Sequence, residues 1–229
     1  MKAKWGALVV EGRNKIAGYV ASRNRAGSYF RVKVSPVQPR TSFQLAVRNR
    51  LTLLSQGWRG LTTAQRNAWN AAVGDYARTD IFGDLRNPSG FQLYMRLNEN
   101  LLIIGETALT TPPVPSSVYA PAAASLAVVT GTPAITLTFS PAIPATDQVK
   151  VYATAPQSPG KNFVKSEYRL IAVLDNTDTS PAVITADYVA RFGSVGATGQ
   201  KIFVKMVGVN ESTGQEGLGL EVSVISTAS

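Results

Sequence analysis

Three segments in the first half of the chain share one pattern: a Ser or Thr, a Gln three residues later, apolar positions at helical spacing and a closing glycine. Thr41 with Gln44 opens a run ending at Gly57, Thr62 with Gln65 a run ending at Gly74, and Ser89 with Gln92 a run ending at Gly105. In such a capping box the hydroxyl accepts from the N–H three residues on, and the Gln side chain returns to the cap's own N–H. The glycine offers a left-handed stop. Helices are therefore predicted over 41–56, between Thr62 and Gly74, and over 91–104. Their expected buried positions are Leu45, Val47, Leu51 and Leu54 in the first, and Leu61, Ala68, Trp69, Ala72 and Val73 in the second. In the third they are Tyr94, Leu97, Leu101 and Ile104, with Phe91, Leu93, Met95 and Leu102 widening the stripe until it needs contact on more than one side. Trp58, Trp69, Phe91 and Tyr94 are the expected anchors of a helical core, with base stacking the alternative role for the two indoles.

Elsewhere the period is two. Residues 16–22 and 28–34 read as strands joined by Arg23-Asn24-Arg25-Ala26-Gly27, a β-hairpin. Phe30, Val32 and Val34 alternate with Tyr29, Arg31 and Lys33, which predicts one apolar and one cationic face, with Arg23 and Arg25 at the tip completing the positive surface. A two-stranded ribbon is barely stable alone, so it must lie on its own helices or on another subunit. Pro36 and Pro39 end the ribbon. Residues 75–88 form a polar loop with an apolar island at Ile81-Phe82. Pro112, Pro113, Pro115 and Pro121 then mark residues 107–124 as an extended connector. Beyond it, seven short alternating runs over 125–130, 134–140, 148–153, 168–174, 182–185, 201–209 and 218–225 predict a β-sandwich of immunoglobulin or fibronectin type III kind. The absence of a cysteine pair and of a core tryptophan favours the latter. A helical turn is expected at 186–192. The fold class is thus an α+β module of basic ribbon and three short helices over 1–106, followed by an all-β sandwich over 125–229.

Charge sharpens the division. The net charge is +9 over 229 residues, but residues 1–100 carry sixteen Lys and Arg against five acids, and residues 101–229 seven against nine. Such a one-sided field favours polyanions or acidic protein surfaces. The chain has no cysteine and no histidine, which removes disulfides, thiolate nucleophiles, the commonest general base and every His- or Cys-based metal constellation. Carboxylate or Ser-Lys chemistry remains open, without a spacing that supports it, so no enzyme, cofactor or small-molecule substrate is expected. No targeting or membrane-spanning segment is read: the apolar run at 7–10 is broken by Glu11 and Arg13, and no run approaches 18 apolar residues.

Two motifs invite chemistry and do not support it. The glycine-rich stretch 193–199 lacks the Gly-Lys-Ser/Thr ending of a phosphate loop and precedes a strand, so a flexible hairpin loop is expected. Asp175, Asp178 and Asp187 match no calcium-loop spacing and read as turn aspartates. The serious candidates are the basic residues Arg13, Lys15, Arg23, Arg25, Arg31, Lys33, Arg40, Arg48 and Arg50, interleaved with Tyr19, Tyr29 and Phe30. Cations for phosphates and rings for stacking suit nucleic acid. Guanidinium forks serve equally well against carboxylates on an acidic protein face. Plain solvated charge is the third reading.

The runs GYVASRNRAGSYFR (18–31), PRTSFQLAVRNR (39–50), WRGLTTAQRNAWNA (58–71) and SGFQLYMRLNENL (89–101) resemble a little-characterised group encoded by tailed bacteriophages and prophages. The resemblance covers about residues 1–105, and the sandwich is similar only in fold to immunoglobulin-like modules appended to virion proteins. It implies a structural component of the particle: a capsid decoration, minor capsid or head–tail protein. Many copies are expected because one module alone would leave the wide stripe of the third helix partly exposed. Its basic module would meet acidic faces of neighbouring virion subunits and packaged DNA, and it would have no membrane partner. It transfers no catalytic residue. The alternative is a sequence-nonspecific nucleic-acid-binding protein.

Overall fold

The computed structural model describes residues 12–24, 27–79 and 82–228, in two compact units over 1–45 and 46–229. It is a mixed architecture of helices and several antiparallel sheets.

The first unit holds an antiparallel sheet of β1 (Asn14–Ile16), β2 (Tyr19–Asn24) and β3 (Gly27–Val32), in the order β1-β2-β3. The expected ribbon therefore gains a strand. The run expected over 16–22 is broken at Ala17-Gly18, a turn that lets Asn14–Ile16 pair back onto β2. Helix α1 (Ser42–Gly60) follows, with the Thr41 hydroxyl accepting from the Gln44 N–H at 3.4 Å.

Gly57 does not end that helix. A Cβ there would lie 2.7 Å from the Tyr94 hydroxyl, so the glycine admits a ring and the helix runs on to Gly60. Of the four positions expected to be buried, only Leu54 is; Leu45, Val47 and Leu51 are exposed. Helix α2 (Thr63–Ala71) has both arms of its capping box, Thr62 with Gln65. It too ignores its expected glycine stop, tightening instead into a 3₁₀ turn over Ala72–Tyr76 that carries Tyr76 into the core. The loop expected over 75–88 contains a small hairpin, β4 (Arg78–Thr79) with β5 (Leu85–Arg86); Phe82 is exposed, and Ile81 lies outside the described residues. Helix α3 (Gly90–Ile104) follows expectation in its bounds, with the Ser89 and Gln92 box and a left-handed Gly105 at φ 90°, but Phe91, an expected core anchor in its first turn, is exposed.

Leu54, Leu61, Trp69, Tyr76, Leu93, Tyr94 and Leu97 form the helical core. Trp69 is completely buried, its ring edge-on to Tyr94 at 5.3 Å, while Trp58 is half-buried between Tyr94 and the more exposed Phe91. α2 and α3 meet where Gly90 faces Asn70 so closely that a Cβ would sit 2.2 Å from the Asn70 Oδ1.

The seven expected strands are all present: β6 (Ala123–Val129), β7 (Ala134–Ser140), β8 (Asp147–Ala153), β9 (Arg169–Leu174), β10 (Ala182–Val183), β11 (Lys201–Asn210) and β12 (Glu216–Ile225). Helix α4 (Thr185–Phe192) takes the place of the expected turn. One sheet runs β10-β7-β6, the other β12-β11-β8-β9. Alternate residues of both, among them Leu126, Ile135, Leu137, Val149, Val151, Ile202 and Val204, fill one core between them. The glycine-rich stretch joins α4 to β11 and is not a hairpin loop.

The outer face of the four-stranded sheet is also covered. Leu101 and Ile104 of α3 pack on Val209, so the wide stripe of α3 is satisfied by the helical core and the sheet within one chain. It does not by itself demand further copies. Beneath α3, Lys150 projects from β8 to Glu216 and to the Asn100 Oδ1, and Asn100 donates to the Gly214 carbonyl at 2.8 Å.

Residues 107–122 have no regular structure, in keeping with their prolines, but they are anchored throughout. Asn98 bonds both the N–H and the carbonyl of Leu109, the Trp69 indole donates to the Thr110 carbonyl and the Tyr76 hydroxyl to the Pro113 carbonyl. Gln215 accepts from the Ser116 N–H, and buried Asp147 from the Tyr119 N–H at 2.7 Å. A Cβ on Gly208 would lie 2.0 Å from the Tyr119 carbonyl oxygen, so β11 carries glycine where this strap crosses it.

This packing sets an expected contrast. Gly208→Ala should cost about 2 kcal/mol or more because backbone must move, whereas Gly60→Ala, with nothing within 4 Å, should be neutral or slightly stabilising. Urea denaturation of both variants measures this; equal midpoints would show that the strap does not constrain β11.

Candidate interaction face of the N-terminal sheet

The register of the first sheet decides which basic side chains act together. Lys15 pairs with Val20 and Val20 with Arg31, so the two cations flank one valine in a row across three strands. Ser22 and Tyr29, the next pair on that face, place a half-buried ring beside the row. Lys33 follows β3, its N–H bonded to the Gly18 carbonyl at 2.8 Å, and lines the same concavity as Lys15, Val20 and Arg31. Lys15, Arg31 and Lys33 are all exposed.

Arg23 does not belong to this group. It lies in β2 opposite Ser28, on the face shared by Ala21, Phe30, Tyr19 and Val32, so the single cationic surface expected of the ribbon is divided. Its placement at a tip also fails, because β2 extends to Asn24. Arg25 lies outside the described residues. Arg13 precedes β1 and, with Arg23, lines a separate concavity that lacks Lys15, Arg31 and Lys33. Arg40 stands just before the α1 cap with a φ of 53°, an uncommon backbone for a side-chain-bearing residue. Arg48 is exposed on α1, whereas Arg50 is held to Glu99 of α3 at 2.9 Å and so ties two helices together.

The apolar side of this sheet is thin. Of its described residues only Ala21 is buried; Tyr19, Val32 and Val34 are exposed. Among its described residues the unit thus presents a basic row with little buried apolar surface, and three strands need an apolar face to be covered.

The remaining candidate chemistry resolves into architecture. Asp175 accepts from both the N–H and the hydroxyl of Thr177, which hold its carboxyl below the usual range, and Asp178 accepts from the Asp175 N–H: an Asx turn. Among the described residues no three acidic side chains gather as for a metal. Lys150, deeply buried, is committed to Glu216 and Asn100. Burial pushes the Tyr76 phenol up, with the Arg96 guanidinium working in the opposite direction. Burial also lowers the Arg96 guanidinium, helped by nearby Arg78. Among the described residues no helix is long and apolar enough to cross a membrane. Lys150 and Asn100 escaped the sequence reading because an isolated Lys on a strand and an Asn on an apolar helix carry no signal of what covers them.

No family model, curated protein or solved structure matches this chain.

The two kinds of cation should differ in stability experiments. Lys150→Ala leaves Glu216 and Asn100 without their partner and should cost roughly 2 kcal/mol or more. Arg31→Glu, on an open face, should stay within about 0.5 kcal/mol. Thermal and urea unfolding of both variants checks this; a similar loss at Arg31 would make it a structural residue and remove it from the interaction face.

Proposed function

We propose that this chain is a non-enzymatic structural component of a tailed-bacteriophage particle, a capsid decoration, minor capsid or head–tail protein, attached through its basic N-terminal unit to acidic faces of neighbouring subunits. The observation that carries this reading is the sheet β1–β3, which lines up Lys15, Arg31 and Lys33 yet buries only Ala21 among its described side chains. A sheet so short of core gains order by docking, and its cations suit a carboxylate-bearing partner. The resemblance of residues 1–105 to phage and prophage proteins supports the particle as the setting.

We read residues 123–228 as a fibronectin type III-like sandwich. Support comes from seven strands in sheets of three and four, with the chain crossing between sheets after β7, β9 and β10. This nearly neutral module would project from the particle or bridge neighbours. One observation favours a second reading, sequence-nonspecific nucleic-acid binding: Tyr29 shares the face of Lys15 and Arg31, the pairing of ring and cation that single strands use. The sheet's shortage of core favours a protein partner, since phosphates would neutralise its charge and leave its apolar side uncovered.

Charge reversal tests the assembly reading. The triple variant Lys15→Glu, Arg31→Glu, Lys33→Glu should fold normally but be lost from purified particles, measured as copies per particle against the unaltered chain. Incorporation at the unaltered level would sink the reading.

A further inference from the structure

We propose that strand β9 is a pairing edge through which two copies of this chain join their four-stranded sheets about a two-fold axis. The two sides of the sandwich differ. On one, β6 and β12 are stitched together, the Thr130 N–H donating to the Thr227 carbonyl at 2.9 Å and the Thr227 N–H to the Val128 carbonyl at 3.0 Å. On the other, β9 and β10 end their sheets and line a groove of about 580 Å³. Beyond its pairing with β8, the backbone of Arg169–Leu174 makes no hydrogen bond among the described residues. Edge strands are commonly blunted with lysine or proline, yet this one runs Leu170-Ile171-Ala172-Val173-Leu174 with neither.

The faces of β9 choose a second copy as the occupant. Arg169, Ala172 and Leu174 stand opposite Ala153, Val151 and Val149, on the side of the sandwich core, and Ile171 packs against that core too. Leu170 and Val173 stand opposite Tyr152 and Lys150, on the outer side. The order inner, outer, inner, inner, outer, inner reads the same from either end, because the bulge at Ile171 falls mid-strand. Against a regular strand such a bulge blunts the edge, since the faces agree along only half of it. An antiparallel copy carries the same break at the same place. Arg169 then meets Leu174, Leu170 meets Val173 and Ile171 meets Ala172, like face against like.

Charge agrees with this register. The strand opens at Arg169, whose guanidinium donates to the Ser166 and Tyr168 carbonyls and forms no ion pair among the described residues. Arg191 of α4 adds to the charge at this end. The strand closes at Asp175, and Asp178 and Asp187 line the groove with no basic residue beside them. Two-fold pairing brings the basic end of each copy to the acidic end of the other, as an interface of identical surfaces requires. Parallel pairing would set like ends together. A six-residue edge is short for a permanent dimer, so association in the micromolar range is expected.

Sedimentation equilibrium of the full chain from ~1 μM to ~1 mM should show monomer and dimer in exchange. Arg169→Glu, at an exposed position, should weaken the dimer by about tenfold or more and leave the melting temperature unchanged. Asp175→Asn with Asp187→Lys, which keeps an acceptor in the turn, should weaken it as well. Mixing these two variants should restore the dimer, because each altered end then meets its complement. Leu170→Lys, a lysine on the edge itself, serves in place of Arg169→Glu should that variant disturb the fold. A chain that stays monomeric, a dimer indifferent to Arg169→Glu, or a loss that mixing does not repair overturns the inference. None of these results touches the particle reading, which stands or falls on incorporation of the Lys15, Arg31 and Lys33 variant.

Discussion

The carbonyl of Tyr119 occupies the space that a side chain on Gly208 would need, and much of the larger unit depends on that contact. It fixes the path of the strap over β11, and Asp147 holds it there through the Tyr119 N–H. Upstream of Tyr119, Asn98, Trp69 and Tyr76 bind the same strap to the helices, and Gln215 binds it at Ser116 to the β11–β12 loop. Backbone polar groups of an irregular segment are thereby satisfied by side chains on both sides, which lets it lie against apolar surface without cost. Gly214 repeats the device: with a φ of 69° it sits so that a Cβ would meet the Leu97 carbonyl at 2.2 Å, and the loop presses on α3.

Helices and sheets consequently share their faces. α3 is covered on one side by α2 and on the other by the outer face of β11, with Lys150, Asn100 and Glu216 as a polar node between them. Lys150 and Asn100 are buried while Glu216 reaches solvent, so removing Asn100 or Glu216 leaves the buried ammonium short of a partner, and the node favours one relative placement of helix and sheet. The unit over 46–229 fills cores on both sides of its four-stranded sheet, while Phe82, Phe163 and Leu218 among others stay exposed. Among the described residues of the unit over 1–45, only Ala21 is buried. Its exposed cations and the scant burial of its described residues are what the functional reading rests on.

Local patterns were legible in the sequence, and contacts distant along the chain were not. The capping boxes at Thr62 and Ser89 are complete within four residues, and both formed. Strands β6 to β12 obey an alternation that needs no knowledge of partners, and their bounds fall within two residues of expectation at nearly every end. Gly57 and Gly74 misled because glycine serves two ends: it permits left-handed backbone, and it removes a Cβ where something approaches. Tyr94 settles the matter for Gly57, thirty-seven residues on. The face of Arg23 depended on register across β2 and β3, where a shift of one residue reverses every side chain. The prolines of the strap disclosed its stiffness but not its anchors, since those are an indole, a phenol, two amides and a carboxylate scattered from residue 69 to residue 215.

The most direct test of the central claim, that the basic sheet meets protein and not nucleic acid, is the affinity of the whole chain for a random duplex and a random single strand across a salt series. The account predicts feeble binding even at low salt, because the row of Lys15, Arg31 and Lys33 offers few phosphate contacts. Submicromolar binding that falls steeply and linearly in log affinity against log salt would contradict it and make the same residues nucleic-acid contacts.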